Sequence, residues 1–392
     1  MSQAIANGEV KVGATDLAGI SEEVIESGQS SFGAYVASPT FSQYGYSWLR
    51  DGSFCALAMS AVGRSESARR FHDWTCNAVS ALGDRLGEVT NSLELGHPVA
   101  AGQMMPTRFR LDGTEESGVK QWPNFQFDGY GTWLFAVYSC YGDALPDGLR
   151  EVVVDVARYL AAGWRLPCYD YWEESGDKIH TSTLAAIAAG LRAAARMASD
   201  SAFDRAADDV TTFIKDKCVV GGAFVKGPED HRVDGSLFSL AVPFGLVSID
   251  DPLFIATNRR IKDELSSPSG GIRRYLSDDY YGGGPWVLLT AWSGWCERIF
   301  GDETAYRARV AWVESHASHD GTLAEQIVAE AQFPQFVAKW TNRWGPVADP
   351  LLWSHAMYLL MRFGPGPMIW KLNSPNTESA HVTCTRPFGA RL

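Results

Sequence analysis

The chain has 392 residues, 46% of them hydrophobic and 20% charged, which is ample core material for a globular protein, and a formal net charge of −12. That charge argues against a nucleic-acid partner and against adhesion to anionic membranes, since both need a basic surface. The seven cysteines are odd in number, scattered and without a CxxC pair, which excludes a disulfide framework or a zinc site and fits free thiols in a reducing compartment.

In chain order, residues 1–14 read as a flexible N-terminus without an apolar leader. DLAGISEEVIESGQ then reads as a helix with Leu17, Ile20 and Val24 on one face. Helical patterns follow over roughly 50–63, 66–81, 129–142, 148–163, 180–199, 201–217, 234–247, 252–265, 284–300, 302–316 and 351–362. No convincing run of alternating strand residues appears, and no composition shift marks a linker. About twelve helices in one chain of this length predict an all-α fold, an (α/α)6 toroid of antiparallel pairs forming a single domain. The longer loops (82–128, 164–180, 266–285, 317–350) should gather at one end of the ring, where chemistry is usually carried. Residues 364–392 read as an irregular tail lying over it. No window approaches a membrane span, so the expectation is a soluble, cytoplasmic monomer.

The segment YDYWEESGDKIH places Glu173 and Glu174 directly after Tyr169, Tyr171 and Trp172. Aromatic neighbours exclude water and disfavour a charged carboxylate, as a general acid requires, although acidic residues before a helix are equally at home on a solvated face. YGYSWLRDGSF sets Tyr44 and Trp48 beside the adjacent Arg50–Asp51 pair, which can grip vicinal sugar hydroxyls, one donating and the other accepting. QWPNFQFDGYGTW adds Trp122 and Asp128, and GGIRRYLSDDYYGGGPW adds Arg274 and Trp286. The glycines of the latter are not a phosphate loop, because no GK[ST] follows. TLAEQIVAE contributes Glu325. A glycosidase needs two carboxyl groups flanking the scissile bond, and Glu173 and Glu325 are the candidates.

The ordered series SWLRD, FDGYGTW, YWEES, RRYLSDDYYGGGPW, LAEQ and PLLWSH, spanning about Tyr44 to Tyr358, resembles the glucoamylase family, glycoside hydrolase family 15. The resemblance implies that Glu173 is the general acid, Glu325 the general base, Arg50 and Asp51 the grip on the non-reducing glucose, Glu174 a contact near the leaving sugar and Tyr44 a holder of the catalytic water. It further implies an inverting, exo-acting α-glucosidase releasing β-glucose. Bacterial members of that family commonly carry a β-sandwich before the toroid; only about forty residues precede SWLRD, so a single catalytic domain without the N-terminal β-sandwich is expected, and no starch-binding module is evident. The chain therefore looks like the single-domain members that take small oligosaccharides, with α-1,6-linked glucosides such as isomaltose favoured over α-1,4 linkages and trehalose. Trp48 and Trp122 are expected against the sugar faces, with Asp128, Trp172, Arg274 and Trp286 completing the substrate contacts. No cofactor and no metal is expected, HASH at 316–319 reading as a helix end. The rival of a different class is a sugar isomerase or epimerase on a helical toroid, although the histidines show no catalytic pairing.

Overall fold

The structure, a computed structural model, describes residues 16–116, 124–368 and 370. The expected flexible N-terminus, Trp122 and most of the expected C-terminal tail lie outside the described residues. Thirteen α-helices are described: α1 (Leu17–Ser27), α2 (Leu49–Ala61), α3 (Ser65–Ser80), α4 (Gly83–Glu94), α5 (Asp128–Tyr141), α6 (Asp147–Gly163), α7 (Thr181–Ala198), α8 (Ser201–Lys217), α9 (Pro252–Leu265), α10 (Val287–Phe300), α11 (Glu303–Ser315), α12 (Val337–Trp344) and α13 (Leu352–Phe363). Strands among the described residues are confined to two antiparallel pairs, β1 (Ser47–Trp48) with β2 (Arg108–Phe109) and β3 (Val219–Val220) with β4 (Ala223–Phe224).

The helices form two concentric layers, and residue type decides which layer each joins. Packing runs from α2 to α5, α7, the 3-10 turn at Gly235–Leu240, α10 and α13, and back to α2, closing an inner ring. Outside it, α1 lies on α13, α3 on α2, α6 on α5 and α7, α8 on α7, α9 on the 3-10 turn, and α11 on α10. The inner helices are buried nearly all round: α2 from Leu49 to Met59, α5 from Asp128 to Val137, α10 from Val287 to Glu297. By contrast, α8 buries only Phe203, Ala207, Val210 and Ile214, one stripe at helical spacing. The Ala-rich stretch of α7 lets two inner helices touch. A Cβ added at Gly131 would stand 2.4 Å from the Ala186 carbonyl oxygen, and one at Gly190 2.6 Å from that of Gly131. This is the predicted (α/α)6 architecture.

Three departures from the sequence reading have physical causes. The helix expected over 234–247 shrinks to the 3-10 turn, because Pro243 supplies no N–H and Gly245 turns the chain at φ 61°. In the loop expected over 82–128, α4 forms with Leu86 and Val89 buried at helical spacing. In the loop expected over 317–350, α12 forms, although none of its residues is buried.

The ring also orients the site. Outer helices α8, α9 and α11 start on Asp200, Asp251 and Asp302, whose carboxylates accept backbone N–H bonds. The inner helices α2, α5, α7, α10 and α13 start without a side-chain cap, at Trp48, Phe127, His180, Trp286 and Leu351. The first turns of α2 and α13 and the residues leading into α10 carry the walls of a single cleft.

Candidate active site

The cleft has two adjoining parts that share Tyr44 and Trp286. The inner part, about 40 Å³, is lined by Trp48, Arg50, Asp51, Glu325 and Trp353; the outer part, about 200 Å³, by Trp172, Glu173, Glu174, Arg274, Tyr280 and the α12 side chains.

Glu173 sits at the tip of a tight turn. The Asp170 side chain accepts from the N–H groups of Trp172 and Glu174, each at 2.9 Å, and the Glu173 N–H donates to the Asp170 carbonyl at 3.0 Å. The turn forces Glu173 to φ 62°, a conformation that costs a non-glycine residue about 1–3 kcal/mol and persists only where the surroundings over-determine it. Those surroundings are a buried ionic cluster: Lys226 Nζ lies 2.8 Å from both Asp170 and Asp234, and Asp234 accepts the Trp172 indole N–H at 3.0 Å. Burial alone would push Asp170 up, but the Lys226 charge holds its carboxyl below the usual carboxylate range.

Glu325 approaches from an extended segment pinned by backbone bonds. Its N–H donates to Ala348 O at 2.9 Å and its carbonyl accepts from Val287 N at 3.2 Å, fastening it to the start of α10. The Tyr44 hydroxyl donates to Glu325 Oε1 at 2.9 Å and lies 3.0 Å from the Tyr280 hydroxyl. In parallel, the Trp48 indole N–H donates to Glu173 Oε1. The Tyr44 and Trp48 rings meet edge-on at 5.7 Å. Each carboxyl group therefore has one oxygen tied to one ring of this pair, while Glu173 Oε2 and Glu325 Oε2 have no partner among the described residues.

Both carboxyls are hard to ionise. Burial pushes Glu173 up to about 7, with Asp51 reinforcing the shift and Arg50 and Arg108 opposing it. The neighbouring Glu174 carboxylate faces Arg274 at 3.2 Å and the Tyr275 hydroxyl. Burial likewise pushes Glu325 up to about 8, against the hydrogen bond from Tyr44 and the charge of Arg274.

Arg50 is almost waterless. It pairs with Asp51 at 3.2 Å and Asp128 at 3.1 Å, and lies over the Trp353 ring at 5.1 Å. Arg274 is held by Asp278 at 2.5 Å and lies against Trp172, Tyr280 and Trp286 at 5.0–5.5 Å. The indole N–H groups of Trp286 and Trp353 have no partner among the described residues. Buried, unpaired donors and acceptors crowded beside aromatic rings suit a ligand with many hydroxyls and apolar C–H faces. His316 caps the end of α11, its Nδ1 2.7 Å from Trp312 O. No cluster among the described residues could hold a metal ion.

The sequence profile of glycosyl hydrolases family 15 matches residues 18–298. The chain belongs to that family. It is 40% identical over 358 residues to the isomaltose glucohydrolase of Kribbella flavida, covering 88% of this chain and 91% of that protein. Among solved structures, a glycosidase variant carrying a glutamate-to-alanine substitution, in complex with glucose, superposes with a TM-score of 0.83 at 38% identity over 88% of this chain and 95% of that one. The glucoamylase of Saccharomycopsis fibuligera superposes at 0.70 and 16% identity over 92% and 98% of the two chains, a likeness of fold alone. This family 15 member is thus a glycoside hydrolase acting on α-glucosides. Among the described residues no helix is long and apolar enough to cross a membrane.

The cleft brings together Tyr44, Trp48, Arg50, Asp51, Trp172, Glu173, Glu174, Arg274, Trp286 and Glu325 from four sequence segments. Asp128 stands apart from that wall: fully buried, it holds Arg50 from behind. Trp48 reaches Glu173 through its N–H, a contact the expectation of sugar stacking did not contain. Tyr280 and Trp353 went unassigned, although both lie inside motifs already quoted. Lys226 and Asp234 had no pattern that would single them out.

Proposed function

We propose that this enzyme is an inverting, exo-acting α-glucosidase in which Glu173 is the general acid and Glu325 the general base, with small α-1,6-linked glucosides such as isomaltose as its preferred substrates. The observation that carries the proposal is the matched pair of half-tethered carboxyls. With Oε1 of Glu173 occupied by Trp48, the proton resides on Oε2 and can pass to the glycosidic oxygen. With Oε1 of Glu325 occupied by Tyr44, Oε2 is left to take a proton from the attacking water. No hydrogen bond joins the two carboxyls, and each hangs from a different ring of the Tyr44–Trp48 pair, which suits a water between them and an inverting displacement. Burial raises both carboxyls well above the ordinary 4.5, so the pair can share one proton in the neutral range.

The terminal glucose enters the inner part, its hydroxyls gripped by Arg50 and Asp51 and by the indole N–H groups of Trp286 and Trp353. Asp51, already facing Arg50, stabilises the positive charge that develops at the anomeric carbon. The leaving sugar lies in the outer part against Trp172 and Trp286, within reach of Glu174 and Arg274. The α-1,6 preference is supported by the isomaltose glucohydrolase at 40% identity.

Proton NMR of isomaltose, maltose and trehalose, each followed from the first minutes after enzyme is added, tests the proposal. β-Glucose should appear before mutarotation, fastest from isomaltose. Initial α-glucose would overturn inversion, and faster cleavage of maltose or trehalose would overturn the linkage preference.

A further inference from the structure

We propose that Trp344 sets the length of the substrate, standing as a partition between the leaving-sugar site and a second depression beside it. This rests on the α-glucosidase reading above and concerns how far beyond the scissile bond the substrate extends.

None of the eight residues of α12 is buried, yet Trp340, Arg343 and Trp344 line the outer part of the cleft. The helix is held there by the 278–283 loop. Lys339 Nζ lies 3.3 Å from Asp279, the Tyr281 hydroxyl donates to Gly345 O at 2.7 Å, and the Trp340 ring meets Tyr280 edge-on at 5.0 Å. Gly282, at φ 83°, makes the close approach possible, since a Cβ there would stand 2.8 Å from that of Ala331. The Arg343 guanidinium lies over the Trp344 ring at 4.6 Å. Trp340 contributes a buried indole N–H with no partner among the described residues, on the wall where a leaving-sugar hydroxyl would arrive.

Trp344 belongs to two spaces at once. The outer part measures about 200 Å³. On the other side of Trp344 lies a depression of about 390 Å³, which Trp344 also lines, together with Thr40, Phe41, Ser42 and Asp349. It combines hydroxyl groups with an aromatic ring, the composition of a sugar site, and Trp344 is the lining residue it shares with the outer part. A glucose disaccharide is accommodated; a third ring meets Trp344. Shortening that side chain joins the two spaces.

The test compares kcat/KM for isomaltose and isomaltotriose in the intact enzyme, Trp344→Phe and Trp344→Ala. The wild type should favour the disaccharide by about tenfold or more, the equivalent of ~1.4 kcal/mol. Trp344→Ala should raise the trisaccharide-to-disaccharide ratio about tenfold, mainly through a lower KM for the trisaccharide, while Trp344→Phe keeps the ratio near wild type. A gain on one substrate is something a misfolded variant cannot mimic. Equal losses on both sugars, or a wild type that already prefers the trisaccharide, would overturn the partition and leave the α-glucosidase reading standing. A wild type that cleaves neither sugar would overturn that reading and this one with it.

Discussion

The two parts of the cleft are made from different material. Arg50, Asp51 and Trp353 of the inner part sit in first turns of α2 and α13, with Trp286 at the entry to α10, so their backbones belong to the closed ring. Their ion pairs are nearly waterless: the Arg50 and Asp51 side chains are 5% and 11% exposed. The outer part is made from the 169–180 turn, the 274–286 loop and α12, and there the Glu174 carboxylate is 36% exposed. In the function proposed above, a terminal glucose is the same in every substrate, and its recognition is entrusted to rigid helix ends. The leaving group varies, and it meets loops that can change without disturbing the ring. Glu173 and Glu325 stand where the two meet.

The largest effects should come from breaking that junction. Glu173→Gln or Glu325→Gln keeps the shape and the tether to Trp48 or Tyr44 but removes the proton donor or acceptor, so kcat should fall by about two to four orders of magnitude. Steady-state hydrolysis of isomaltose measures it. Activity within tenfold of wild type in either variant would remove that residue from the chemistry.

The next effect concerns the support of the outer part. Lys226→Met would leave Asp170 and Asp234 facing one another without their shared cation, under the turn that carries Glu173. Removing one partner from such a buried cluster costs about 3–5 kcal/mol. Urea unfolding of the variant measures the loss. A cost below about 1 kcal/mol would mean that the turn is held by Asp170's backbone bonds without the cluster.

How much of this was legible in the sequence follows the same division. The ring was readable because each long helix repeats its apolar residues many times; even α4, left inside a loop, shows Leu86 and Val89 at helical spacing. Eight residues of α12 give too few turns for a period to register, and its ring residues lie on the surface of the scaffold and outside the core. Arg50, Asp51, Glu173 and Glu325 were legible as residue types in motifs. Their contacts were not, because Trp48 meets Glu173 across 125 residues and Tyr44 meets Glu325 across 281. Asp128 was assigned to the sugar and lies behind Arg50, a distinction that depends on which way the first turn of α5 faces. Lys226 belongs to no motif, and only the folded chain shows two buried carboxylates beside it.

The smallest effect is one of stability, and its sign runs opposite to activity. The Glu325 carboxyl is raised from an ordinary 4.5 to about 8 by burial. Between those values the folded enzyme holds a proton that the unfolded chain has already released, so this group makes stability fall as pH rises through the window. A glutamine amide in its place does not titrate and cannot contribute that fall. Glu325→Gln should therefore match the wild type near pH 4.5 and exceed it by a margin that widens up to about pH 8 and then levels off. Thermal unfolding of both proteins at pH 5, 7 and 9 reads the difference directly. Parallel curves would mean that Glu325 ionises in the native cleft as easily as in water, removing the dry environment on which the contrast between the inner and outer parts depends.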